Sequence, residues 1–172
     1  MAWFDLIDTC GTQQTISRAN SVLNLRTEYK LGKGGFDPTK SFTPQCDCSG
    51  FIAWAIGIPR ELPPKSGKWL STDEYWAGGI APKKNLFKQR NLNEAEVGDL
   101  IVYPDSGGSQ GHIGLITQID HSMPSLVIHC SNGNWKHYGD AVRATNPNVF
   151  LTGNHKTRIM RIEYDTLRQF II

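Results

Sequence analysis

Apolar residues recur at helical spacing between residues 12 and 28, where Ile16, Ala19, Val22 and Leu23 fall on one face with Arg26 beyond them. Thr12 stands where a capping hydroxyl belongs, so the pattern predicts an amphipathic helix over 12–28. Residues 30–46 lose that period. They are rich in Gly, Pro, Lys and Thr, and a loop this long predicts a functional or wall-forming segment. A second helix is predicted over 48–57, with Phe51, Ile52, Ala55 and Ile56 as its apolar stripe and Gly57 and Pro59 as its stop. Pro59 to Lys68 reads as a loop stiffened by Pro63-Pro64. Ser71 or Thr72, followed by Asp73, Glu74, Tyr75 and Trp76, predicts a short capped helix that Gly78-Gly79 ends. Residues 80–97 read as irregular and polar.

Past residue 98 the period shortens. Asp99 to Tyr103 is a short apolar run closed by Pro104, and Ser106 to Gly111 is a Gly/Ser turn. His112 to Ile119 and Ser125 to Ser131 predict two β-runs joined by a turn near His121 and Pro124. Thr157 to Tyr164 alternates Ile159, Arg161 and Glu163 against Arg158, Met160 and Ile162, and predicts a further strand. Helices early and strands late predict an α+β fold built on an antiparallel sheet. No internal repeat interrupts it.

Composition narrows the class. A chain of 172 residues is expected to be a single domain over 1–172 with room for a substantial core. Its 39% hydrophobic and 20% charged residues are those of an ordinary globular protein, and 17 Gly with 9 Pro make it loop-rich. The net charge of +2 is too small to define a partner. Lys83, Lys84, Lys88 and Arg90 form a local basic stretch, read as a solvated loop or as a patch attracted to an anionic polymer. No apolar run approaches the roughly 20 residues of a membrane span. Met1 to Asp8 lacks the basic start and apolar centre of a secretory leader. The expected location is therefore the cytoplasm, or the cell wall after export by another route or after loss of a leader.

The cysteines carry the chemistry. Cys10, Cys46, Cys48 and Cys130 are too few for a disulfide scaffold and lack zinc-ligand spacing. Cys48 opens the second predicted helix in the run Asp47-Cys48-Ser49-Gly50, where the positive end of the helix favours a thiolate. A lone thiol can equally be a small buried hydrophobe. Here Asp47, Ser49 and Gly50 surround it with polar or small groups, and helix-start amides are available to a developing oxyanion. His112, between Gly111 and Gly114, is the candidate base. His129 lies on the next β-run and, if the two runs pair, can hold the His112 ring in the useful tautomer; its alternative is a satisfied core histidine. Tyr29 is placed at the end of the first helix, with its hydroxyl available to substrate or oxyanion. Cys46 reads as incidental, with a redox role beside Cys48 as a minor alternative, and Cys130 as packing. His121, His137 and His155 lie in polar turns with no assigned chemistry. Asn132, Asn134 and Trp135 either line the cleft or form a turn.

The segments Asp47-Cys48-Ser49-Gly50-Phe51, Gly98-Asp99-Leu100-Ile101-Val102-Tyr103, Gly111-His112-Ile113-Gly114 and Ile128-His129-Cys130-Ser131 come in the order of the NlpC-type cell-wall cysteine peptidases. Tyr29 to Gly32 is similar to the Tyr-x-x-Gly segment that precedes the cysteine in that papain-like, CHAP-related superfamily. The resemblance implies a papain-like fold with the nucleophile helix packed on a central antiparallel sheet. It implies Cys48 as nucleophile, His112 as general base and acid, His129 as orienter and Tyr29 near the oxyanion. Asp47 and Ser49 are expected on the substrate and oxyanion side. The expected activity is hydrolysis of amide bonds in peptidoglycan stem or cross-link peptides, without metal or cofactor and with no nucleic-acid partner. A wall amidase of this kind resembles effectors injected into rival bacteria, which need a cognate immunity protein, and phage lysins. The same residues would also serve a transferase or a deamidase, and a degenerate member would only bind wall peptides. The stretch from Tyr29 to Cys48 is longer than in compact members, and 58–96 looks enlarged.

Overall fold

Six strands form one antiparallel sheet, with helices at its start, flank and end. The structure, a computed structural model, describes residues 11–37, 39–81 and 85–171. Met1 to Asp8, Cys10, Lys83 and Lys84 lie outside the described residues. In chain order the elements are α1 (Thr12–Ser21), β1 (Glu28–Tyr29), β2 (Gln45–Cys46), α2 (Cys48–Ile56), α3 (Thr72–Trp76), β3 (Phe87–Arg90), a 3₁₀ turn (Leu92–Glu94), β4 (Leu100–Tyr103), β5 (His112–Asp120), β6 (Met123–Cys130), α4 (Asn132–Tyr138), β7 (Val142–Thr145), α5 (Asn148–Leu151), β8 (Arg158–Ile162) and α6 (Tyr164–Ile171). The sheet order is β3-β8-β4-β5-β6-β7, and β1 and β2 make a separate parallel pair. Among the described residues no helix is long and apolar enough to cross a membrane.

The hairpin β5–β6 dominates the sheet, with Leu115 opposite Ile128 and Asp120 opposite Met123. His121 and Ser122 turn it with φ of 47° and 62°, the left-handed pair that suits a tight hairpin. Strand alternation then sorts the side chains. Val102, Leu115 and Ile128 join Phe51, Ile52, Ala55 and Ile56 of α2 in the larger core. Ile101, Ile116, Val127 and Ile159 turn to the opposite face and pack with Phe150 of α5. The expected arrangement, the helix that starts at Cys48 packed on an antiparallel sheet, is what the chain adopts.

Two expectations need correction. The first helix ends at Ser21, not 28. Asn24 and Arg26 take φ of 67° and 56°, which breaks the helix although Val22 and Leu23 keep its period. Thr12 is its first residue, and Gly11 precedes it without a side-chain cap. Residues 80–97 are not wholly irregular, because Phe87–Arg90 pairs with β8 at the sheet edge. Other elements hold: α2 ends at Gly57 as its C-cap, and α3 carries a full capping box between Ser71 and Glu74. Arg18 of α1 donates to Ala55 O and Ile56 O at 3.3 and 3.2 Å, covering carbonyls that the end of α2 leaves unpaired.

The Gly98-Asp99-Leu100 segment is an anchor. Asp99 is 3% exposed and accepts from Arg161 Nε and Nη2 of β8, both at 2.9 Å. Its second oxygen also accepts from Glu96 N at 2.9 Å, closing the turn that feeds β4.

Candidate active site

Asp47 builds the start of α2. Its Oδ1 accepts from Gly50 N at 2.8 Å and Ser49 Oγ at 3.3 Å, which caps the helix. Its Oδ2 accepts from Gly32 N at 2.7 Å, which holds the preceding loop against the helix. Arg60 meets both oxygens, at 2.5 and 2.9 Å. The carboxylate expected to touch substrate is thus committed to scaffolding. Gly50 is required by proximity: a Cβ there would lie 2.1 Å from Lys33 O and 2.2 Å from Arg60 Nη1.

This cap places Cys48 as the first residue of α2, 7% exposed, with its thiol 4.0 Å from Gly111 O. The Ser49 and Ile113 amides also reach the sulfur. Gly111 and Ile113 bracket His112, so the thiol lies against the backbone that carries the imidazole. Burial, then the Asp47 charge, pushes the thiol up to about 12, and the helix-start amide only partly offsets them. Burial thus works against the thiolate that the helix start favours.

The histidines pair as the hairpin predicts. His112 Nε2 and His129 Nδ1 are 2.7 Å apart, with the rings at 84°. His129 Nε2 is 2.9 Å from Thr145 Oγ1 on β7. Phe150 stacks on His112, with centroids 5.1 Å apart and planes at 10°, and meets His129 edge-on. Burial pushes His112 down to about 3, with a further contribution from His129, and pushes His129 down to about 4. Both rings are therefore neutral near pH 7. Gly114 makes this packing possible, because a Cβ there would sit 2.4 Å from Val127 Cγ1, 3.1 Å from Phe150 and 3.2 Å from His129 Cβ.

A cleft of about 110 Å³ leads to the sulfur, lined by Tyr29, Leu31, Ser49, Thr72, Asp105, Gln110 and Gly111. Tyr29 comes from β1, not from a helix end. Its hydroxyl is held well above the usual phenol range, by burial first and then by the negative charge that ionised Cys48 would carry. Asp105 accepts from Gly111 N and from Thr72 Oγ1, the latter at 3.3 Å, which fixes the approach to His112. Across Arg60 lies a larger hollow of about 340 Å³, walled by Phe36, Phe42 and Trp54.

Several expected neighbours lie elsewhere. Cys46 is buried with its sulfur 3.3 Å from that of Cys130, so its partner is Cys130 and not Cys48. Asn132, Asn134 and Trp135 belong to α4, where Asn134 donates to Ala141 O at 3.3 Å. His155 stacks on Tyr103 at 4.0 Å. Arg60, Asp105, Thr145 and Phe150 escape sequence reasoning, since none falls in a motif or at a telling period. Among the described residues, no group of three or more His, Cys, Asp or Glu is placed to hold a metal ion.

A family model described as the NlpC/P60 family matches residues 26–145. Among solved structures, the P60 domain of an antigen from M. avium subspecies paratuberculosis is similar with a TM-score of 0.53 and 22% identity. That match covers 88% of this chain and 93% of that one. NlpC1 from Trichomonas vaginalis is similar with a TM-score of 0.53 and 16% identity, over 88% of this chain and 43% of its own. At these identities the likeness concerns the fold. No curated protein matches the chain.

Proposed function

Because the chain belongs to the NlpC/P60 family, whose members are generally cysteine hydrolases, we propose that it cleaves amide bonds in peptidoglycan stem or cross-link peptides. The observation that carries this reading is the Cys48 sulfur at the floor of an open cleft, lying against the backbone that bears His112, whose far nitrogen is held by His129.

In this reaction His112 takes the thiol proton as the sulfur attacks the scissile carbonyl. Starting from a neutral pair suits the buried site, since charge develops only once substrate has excluded water. The Cys48 amide is one of the donors a helix cannot pair internally, and with the Tyr29 hydroxyl it holds the oxyanion. Collapse expels the amine, which leaves with the proton from His112, and a thioester remains on Cys48. Water, deprotonated by His112, then releases the acid and restores the thiol. His129 keeps the His112 ring oriented throughout.

The narrow cleft beside Cys48 suits an extended peptide. Action on a wall fits delivery as an antibacterial effector or lysin, and a producer sharing the target bond would carry an inhibitor protein. Mass spectrometry of peptidoglycan digests from several wall types tests the reading, because product masses name the bond. Wild-type protein should release peptide fragments and Cys48→Ala should release none. Undiminished cleavage by Cys48→Ala would overturn it.

A further inference from the structure

Thr145 sits at the end of the edge strand β7, where Val127 is its partner on β6 and His129 pairs with Arg143. Its hydroxyl has two neighbours. Oγ1 is 3.0 Å from Asn146 O and 2.9 Å from His129 Nε2. A carbonyl oxygen can only accept, so the single hydroxyl proton goes to Asn146. The hydroxyl oxygen must then accept, and the donor is the ring of His129. A neutral imidazole carries one proton. With that proton on Nε2, His129 Nδ1 becomes an acceptor. Its neighbour at 2.7 Å, His112 Nε2, must carry the proton between them. The remaining nitrogen of His112, Nδ1, is left bare. It is the nitrogen next to its own backbone, the stretch that the Cys48 thiol touches through Gly111 O.

We infer that Thr145 is a positioning residue: by fixing the tautomer of His129 it fixes that of His112 and leaves an unprotonated nitrogen on the cysteine side. The proton order runs in one direction, from His112 Nε2 to His129 Nδ1, from His129 Nε2 to Thr145, and from Thr145 to the Asn146 carbonyl. When Cys48 gives its proton to His112 Nδ1, His112 becomes an imidazolium that keeps its Nε2 proton, still donated to His129 Nδ1. The negative charge goes to the sulfur, and no other bond changes. The opposite hydroxyl orientation would reverse the chain, leave a proton on His112 Nδ1 and remove the base. The buried state of both rings, at 8% and 4% exposure, keeps water from satisfying either nitrogen instead.

The inference rests on the hydrolase reading for its kinetic consequence, but its structural content does not need turnover. Nitrogen-15 spectra of the histidine side chains in the whole protein read tautomers directly. At neutral pH both His112 and His129 should show the Nε2-protonated form. In Thr145→Val, which keeps the shape and removes the hydroxyl, His129 should populate both tautomers, and Thr145→Ser should restore one. With peptidoglycan fragments as substrate, kcat of Thr145→Val should fall about tenfold and KM should stay within about twofold, as expected for losing one orienting hydrogen bond. Thr145→Ser should recover most of that kcat. Wild-type His129 protonated on Nδ1 would overturn the inference, as would a Thr145→Val protein with unchanged tautomers and unchanged kcat. If Thr145→Val does not fold, the wild-type tautomers and the Thr145→Ser kinetics decide. If Cys48→Ala defeats the hydrolase reading, the spectra still judge Thr145.

Discussion

Arg60 grips Asp47 through both terminal nitrogens, at 2.5 and 2.9 Å, and so fixes the residue that caps the helix carrying Cys48. The Asp47 side chain is 3% exposed and that of Arg60 12%. Removing the guanidinium leaves a buried charge with only neutral donors. Arg60→Met should cost about 3 kcal/mol in urea unfolding, within the range for breaking a buried pair. Arg60→Lys should fall between it and wild type, because an ammonium supplies the charge without the two-pronged geometry. Equal stability of all three proteins would show that the pair holds nothing.

Thiol labelling should separate the cysteines. Cys46 and Cys130 are fully buried, whereas Cys48 opens on the cleft. In the folded protein, iodoacetamide should modify Cys48 alone among these, with Cys46 and Cys130 reacting only on unfolding. Because Cys48 is pushed up to about 12, its rate should climb steadily with pH through the alkaline range. A plateau near neutral pH would mean a standing thiolate–imidazolium pair and would contradict the neutral site.

Acid should weaken the fold through the same histidines. His112 and His129 are lowered to about 3 and about 4, against an ordinary value near 6.5. Between those values the unfolded chain binds protons that the folded one refuses. Their contribution to stability is therefore complete above about pH 6.5 and lost progressively as pH falls toward 3. Urea midpoints from pH 8 to pH 4 should show a decline that His129→Asn reduces. An identical decline in that variant would place the acid sensitivity elsewhere.

Asp99 should matter to folding and not to chemistry. Asp99→Asn retains the shape but gives up the two-bond pairing with Arg161, and should cost about 2 kcal/mol, as for charged hydrogen bonds. Turnover per folded molecule should stay at the wild-type level. A selective loss of kcat at full stability would give this motif residue a catalytic part.

The sequence was most readable where local rules and burial agree. Cys48 and Gly57 mark the start and stop of α2 where the sequence places them. Ser71 and Glu74 announce α3. The β-run read over His112 to Ile119 is the strand that brings two histidines together. It misled where a local signal ran past a backbone reversal, as at Val22 and Leu23 before the left-handed Asn24 and Arg26. It was silent where an element is short or polar. Phe87–Arg90 is a one-sided edge strand, α4 is a polar segment capped by Ser131, and α5 has only four residues. Those last stretches carry or precede Thr145 and Phe150, so the wall around the imidazoles had no local signature. Cys46 misled for another reason: proximity to Cys48 in sequence says nothing about which strand its sulfur faces, and that strand carries Cys130.

Cys48 is made early, whereas His112, His129 and Thr145 arrive with β5, β6 and β7. On the ribosome, a growing chain presents the Cys48 thiol long before either ring is there to meet it. Under the proposed hydrolysis, the site is therefore incomplete until the chain has been made through Thr145. A cut between Cys48 and His112 before the sheet closes would part the thiol from the rings.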